Sequence, residues 1–228
     1  MDRIVRVATP DDAAACAGIY APFVADSAAT FETTPPDARE MTRRIERFFG
    51  RETWLVLETD GVVAGFAYAK PFADRPTFRW TLETNVYVAT DHQRQGAGRA
   101  LYDALLERLA RRGYHRVVAS IVLPNDPAVA LHEAAGFQRA GSFERIGWKH
   151  GQWHDAVMFQ RDLVPDDGIT PGNRTADAEL PSLLTPEPLE VTRTPWCGRT
   201  PPRSWWPTSA TEAFRFARRP ASSLGSPP

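Results

Sequence analysis

Residues Gln93-Arg94-Gln95-Gly96-Ala97-Gly98-Arg99 follow the apolar run Val86-Tyr87-Val88 and precede leucines at 101, 105 and 109. A strand, a glycine-bearing turn and a helix start together make an anion site. The turn aims several backbone N–H groups at one point, and the helix dipole adds about half a positive charge. Gly96 and Gly98 let a ligand approach the backbone without a side-chain clash. Arg94 and Arg99 can add charge-assisted bonds. The expected ligand therefore carries phosphate. A Gly-Lys-Ser/Thr nucleotide loop is absent, and so is GxGxxG. What remains is Gln93-x-x-Gly96-x-Gly98, a pattern that a loop merely tightened by glycines would also satisfy.

Two further groups could do chemistry. Asn125-Asp126-Pro127 reads as a helix start, and His132 sits on that short helix. A histidine titrates near neutral pH and so suits proton exchange, but a satisfied polar residue on a helix face fits as well. His150 and His154 lie four apart in a segment that reads as turn and strand. That spacing does not put them on one helical face, and no third ligand is evident. No metal site is expected. Asp155 and Trp153 are expected to fix the last hairpin.

The elements that must position these groups are legible from periodicity. A short strand covers 4–7. Thr9-Pro10-Asp11-Asp12 starts a helix, with a capping hydroxyl and acids near its positive end, and Cys16, Ile19, Tyr20 and Phe23 recur at helical spacing. Pro35-Pro36 opens a second helix with Met41, Ile45, Phe48 and Phe49 as its apolar face. Strands at 54–58 and 62–68 flank Asp60-Gly61, a hairpin signal. After a strand through Trp80 and Val88, a helix carries Leu101, Leu105 and Leu109 and ends at Gly113. A buried strand follows at 117–123, then the short helix to Gly136, then strands at 138–145 and 157–161. The order β-α-α-β-β-β-α-β-α-β-β predicts an α/β fold, a mixed twisted sheet of six or seven strands with helices on both faces.

Composition limits the function classes. The 228 residues include 27 basic and 28 acidic side chains, a net charge of −1. That balance argues against broad capture of nucleic acid. No run is long and apolar enough for a membrane helix, and Asp11 and Asp12 interrupt the only early apolar run, so no signal peptide is read. Two cysteines, Cys16 and Cys197, make no disulfide framework. A cytoplasmic protein is expected. Beyond Leu163 periodicity disappears, and 12 of the 20 prolines fall in the last 65 residues. The chain thus divides into a folded domain at 1–163 and a disordered tail at 164–228. The tail's Trp196, Trp205 and Trp206 suit either a docking segment or residues read in a non-native frame.

The blocks Glu83-x-x-Val86-Tyr87-Val88, His92–Gly98, Leu123-Pro124-Asn125-Asp126-Pro127, Leu131-His132-Glu133 and 149–155 stand in one order. Together they resemble the GNAT acetyltransferase superfamily, and more closely its phosphinothricin and methionine sulfoximine N-acetyltransferases. The resemblance spans about residues 3–163. It implies acetyl-CoA as co-substrate and direct attack of an amine on the thioester. It also implies a homodimer.

Residue roles follow from the same resemblance. Glu83 stands at the general base. Residues 86–88 present backbone groups to the pantetheine arm, and the 93–99 turn takes the pyrophosphate. His132 occupies the position of the group that protonates the leaving thiolate, or else assists Glu83 as a base. Asn125 bonds the cofactor, caps its helix, or does both. Arg75 matches an arginine that clamps the acidic end of an amino-acid substrate, and Phe31 and Phe78 wall the pocket. Ala73 and Phe78 stand where phosphinothricin enzymes carry polar groups, which keeps sulfoximine, sulfone or another small amine in view. Two other functions fit the same residues: acetylation of a protein or peptide, and a non-catalytic acyl-CoA sensor whose tail docks a partner.

Overall fold

In the computed structural model, residues 2–47, 54–164 and 189–190 are described. Phe48, Phe49, Cys197 and nearly all of the expected tail lie outside them. The elements are β1 (Arg3–Val7), α1 (Ala13–Ala25), α2 (Ala38–Arg47), β2 (Trp54–Thr59), β3 (Val62–Pro71), β4 (Thr81–Val88), α3 (Ala97–Arg111), β5 (Arg116–Val122), α4 (Asp126–Ala134), β6 (Gln138–Lys149), β7 (Gln152–Asp162) and β8 (Leu189–Glu190). They form one mixed sheet in the order β6-β7-β5-β4-β3-β2-β1-β8. The first eleven elements follow the expected order. The two-residue β8 pairs with β1 and falls inside the segment expected to be disordered.

Helices cover both faces, and this explains the unbroken apolar run in β2. A strand buried on both sides has no polar face to alternate with. Leu55 and Leu57 join Leu101, Leu105 and Leu109 of α3, all fully buried. Trp54 and Val56 point the other way, into Cys16, Tyr20, Met41 and Ile45 of α1 and α2.

The last two strands are longer than expected, reaching Lys149 and starting again at Gln152. The cause is His150-Gly151, both at positive φ (50° and 76°). They make a two-residue hairpin turn of the kind Asp60-Gly61 makes between β2 and β3, where φ is 51° and 81°. Histidine disguises this turn in the sequence.

Arg6 ties the entry of α1 to the sheet. Its guanidinium donates to both Asp12 oxygens at 2.7 Å and to Glu58 at 2.8 Å. The Thr9 N–H also donates to Asp12, at 2.7 Å. Burial alone would raise the Asp12 carboxyl; the bonds from Arg6 and Thr9 outweigh it and hold the group below the ordinary carboxylate range. A carboxyl depressed in the folded state contributes stability above its unfolded pKa and loses it as pH falls through the folded value. Asp12→Asn should therefore cost about 2–4 kcal/mol at pH 7 and flatten the acid limb of the stability curve below about pH 4. Urea unfolding across pH checks both.

Candidate active site

Strands β4 and β5 are parallel neighbours for only three residue pairs, Thr81↔Arg116, Leu82↔Val117 and Glu83↔Val118. Beyond Glu83 they part. The β4 backbone from 84 to 88 keeps its antiparallel ladder to β3 but has no strand partner toward β5. A cavity of about 840 Å³ fills the gap. It is lined from both faces of the sheet: Phe23, Ala29 and Tyr87 stand on the α1 side, Leu131 and His132 on the α4 side.

Most of the residues expected to hold acetyl-CoA meet here. Val86, Tyr87 and Val88 line the cavity from β4. Gln93, Arg94 and Gly96 line it from the turn, and Ala97, Gly98 and Arg99 from the start of α3. Asn125 lines it from the start of α4, where its side chain also accepts from the Ala128 N–H at 3.2 Å. Both of its expected uses are therefore open to it. Gln95 is not among the lining residues. Its amide donates to the Asp91 carbonyl at 2.8 Å, and Arg3 donates to its own carbonyl at 2.6 Å, so it braces the turn.

The two glycines have different reasons. Gly96 caps α3 at φ 83°, a left-handed conformation that side chains resist. A Cβ on Gly98 would lie 3.0 Å from Leu131 Cδ2, so this glycine lets α3 and α4 pack. Arg99 pairs with Asp103 at 2.7 Å and donates to the Ala134 carbonyl at 2.7 Å, tying the same two helices.

His132 is only 5% exposed. Its Nδ1 lies 2.7 Å from the Ala128 carbonyl, which can only accept, so Nδ1 carries the proton. Nε2 then accepts from the Tyr102 hydroxyl at 2.6 Å. Burial pushes the ring below the ordinary histidine range, against the opposing bond to Ala128. The ring is thus neutral at pH 7, with no free proton to give. The hydroxyl proton beside the cavity belongs to Tyr102. Sequence reading passed over Tyr102 because it sits among leucines at helical spacing.

Glu83 stands on the opposite face from His132. Side chains alternate along a strand, so Glu83, Asn85 and Tyr87 share the α1 side, while Leu82, Val86 and Val88 join the α3 core. Glu83 is about a quarter exposed and lies 3.2 Å from Lys70 Nζ, its cross-strand partner. Asn85 Nδ2 is buried with no hydrogen-bond partner, an unspent donor that sequence reading also missed.

The expected substrate residues lie elsewhere. Arg75 is exposed at the head of a single 3-10 turn, Pro76–Phe78, between β3 and β4. The Phe78 ring meets Phe72 edge-on at 5.5 Å. Neither residue lines the cavity, and neither does Phe31 or Glu83. Among the described residues no cluster of three potential metal ligands occurs. His150 Nε2 meets the Ser27 carbonyl at 3.2 Å, and His154 Nε2 the Lys149 carbonyl at 3.0 Å.

Residues 22–137 match the profile described as "Acetyltransferase (GNAT) family". A phosphinothricin N-acetyltransferase from Streptomyces viridochromogenes is 45% identical over 159 residues, covering 70% of this chain and 87% of that one. The chain belongs to the GNAT acetyltransferase family. It is an acetyl-CoA-dependent N-acetyltransferase. An L-methionine sulfoximine/L-methionine sulfone acetyltransferase from Salmonella typhimurium is 34% identical, covering 70% and 94%. A solved Sinorhizobium meliloti phosphinothricin acetyltransferase in complex with AcCoA superposes with a TM-score of 0.72 at 32% identity, covering 75% and 94%. The site fits that co-substrate: a long ligand with amide groups can take up the unpaired backbone of β4, and the free N–H groups opening α3 suit a pyrophosphate.

A ring held neutral by burial should titrate below the free-histidine value. NMR of labelled histidine should show His132 with its midpoint below about 6.5. In Tyr102→Phe, which withdraws a bond that favours the neutral ring, the midpoint should move upward.

Proposed function

We propose that the protein acetylates the α-amine of a small, acidic, amino-acid-like substrate of the phosphinothricin, methionine sulfoximine or methionine sulfone type. The carrying observation is that the Tyr102–His132 pair lines the cavity on one face of the sheet, while Glu83 stands on the other face at the point where β4 and β5 part. An acyl transfer needs that division: the incoming amine loses a proton on one side, and the leaving group gains one on the other.

Acetyl-CoA supplies the acetyl thioester when bound. Glu83, beside Lys70, takes the proton from the substrate ammonium, directly or through a water. A β4 backbone N–H between 84 and 88, unpaired toward β5, receives the developing negative oxygen. Tyr102 gives its hydroxyl proton to the leaving sulfur on the opposite face and is reprotonated from solvent, while His132 keeps its Nδ1–H on the Ala128 carbonyl. Arg75 closes on the substrate's acidic group in the two-bond manner of a guanidinium, with Phe31 and Phe78 as apolar walls. The names of the relatives support the substrate class, since the Streptomyces and Salmonella proteins are named for such compounds.

The same reading makes the protein a cytoplasmic homodimer. Edge strand β6 is exposed from Gln138 to Arg145. Phe143, Ile146, Trp148 and Trp153 are each more than half exposed on its hairpin, apolar side chains that a second copy of the chain would cover.

Thiol release from acetyl-CoA should be followed against phosphinothricin, methionine sulfoximine, methionine sulfone and common amino acids. At least one panel member should turn over, and Glu83→Gln should lower its kcat by about 10²–10⁴ while leaving acetyl-CoA affinity intact. Tight acetyl-CoA binding with no turnover of any member would overturn the substrate class.

A further inference from the structure

The segment at 26–31 joins α1 to the rest of the chain, and it is held from two sides. On the α1 side, Ser27 Oγ donates to the Phe23 carbonyl at 2.9 Å. Tyr20 Oη lies 2.9 Å from Thr30 Oγ1 and 3.0 Å from Glu32 Oε1, and Arg44 grips Glu32 at 2.8 and 2.9 Å. On the other side stands the β6–β7 hairpin. Lys149, only 5% exposed, donates from Nζ to the Thr30 carbonyl at 2.8 Å. His150 reaches the Ser27 carbonyl, and His154 holds the Lys149 carbonyl from behind. The segment therefore spans from α1 to β6, past the gap between β4 and β5, and Ala29 lines the cavity there.

Its far end is set by one contact. The Phe31 ring lies against the bare backbone of Gly147. A Cβ built there would stand 2.1 Å from Phe31 Cε1 and 2.3 Å from Cζ. Gly147 resumes the pairing, with His154, after the β6 irregularity that follows Phe143, and has no positive φ to require glycine. What requires glycine is the ring. Phe31 is 40% exposed, so a methyl group at 147 would swing it outward rather than unfold the protein. The segment abuts the face of β4 that carries the candidate base: Tyr20, which meets Thr30 and Glu32, packs edge-on against Tyr87 at 4.7 Å, and Tyr87 shares its face with Glu83.

We propose that Gly147 and Lys149 of β6 are specificity-determining residues for the acceptor amine, acting through the position of Phe31. The hairpin sets how far Phe31 stands from the Lys70–Glu83 pair and hence the width of acceptor that fits. The inference rests on the acetyltransferase reading above for its kinetic consequence, but not for its geometry.

A double-mutant cycle of Gly147→Ala and Phe31→Ala tests it, read by kinetics and by hydrogen exchange of the 27–31 amides. Gly147→Ala should raise KM for the acceptor about tenfold, the usual cost of one misplaced carbon in a pocket. It should leave kcat and the KM for acetyl-CoA within about twofold. Amides at 27–31 should exchange faster. In the Phe31→Ala background the same substitution should change neither readout, because no ring remains to displace. Lys149→Met should reproduce the faster exchange. Equal effects of Gly147→Ala in both backgrounds, or an effect confined to acetyl-CoA, would overturn the proposal. If the wild type acetylates nothing in the panel, the substrate reading has failed and the exchange arm still decides: unchanged protection at 27–31 in Gly147→Ala overturns the hairpin's role.

Discussion

The rest of the site depends on the short parallel seam between β4 and β5. Two antiparallel halves, β1 to β4 and β5 to β7, meet through three residue pairs and then diverge. Unpaired backbone inside a protein is costly, so the divergence holds only where something else covers it. Helix α3 opens at the head of the gap with its free N–H groups, α4 covers one face, and the 26–31 segment crosses the other. Each of these placements answers the same need. The cavity is therefore not carved into a finished sheet but is what the sheet leaves when its middle pair stops early.

Three deeply buried polar groups are matched: Asp12 by Arg6 and Thr9, Lys149 by the Thr30 carbonyl, and His132 at both ring nitrogens. These matched groups hold elements together. On β4 the Asn85 amide nitrogen has no partner, and from 84 to 88 the strand has no partner strand toward β5, where a ligand with polar groups can meet it.

The elements were largely legible in the sequence because each is specified locally. Asp60-Gly61 announces its hairpin, Leu101, Leu105 and Leu109 announce α3, and Asn125 with Pro127 opens α4. The phosphate turn was legible for the same reason: strand, glycines and helix start are contiguous. What was not legible is long-range. No local signal says that β4 and β5 part after three pairs, that Tyr102 caps His132 across thirty residues, or that Gly147 is small for the sake of Phe31. Gln95 sits within the motif yet serves the fold, because a motif marks a loop and not the direction of each side chain. His150-Gly151 shows the converse, a local turn hidden by an uncommon residue.

A seam of three rungs gives the acetyl donor a second role. Any molecule filling the gap touches residues of both halves, Val86 and Val88 on one strand and Ser120 and Ile121 on the other. It acts as a staple across the short parallel join between the two halves. Binding only to the folded chain, at a hundred times its Kd it adds about 2.7 kcal/mol by mass action. The amount of this protein that survives unfolding and degradation is thereby coupled to the supply of the metabolite it consumes.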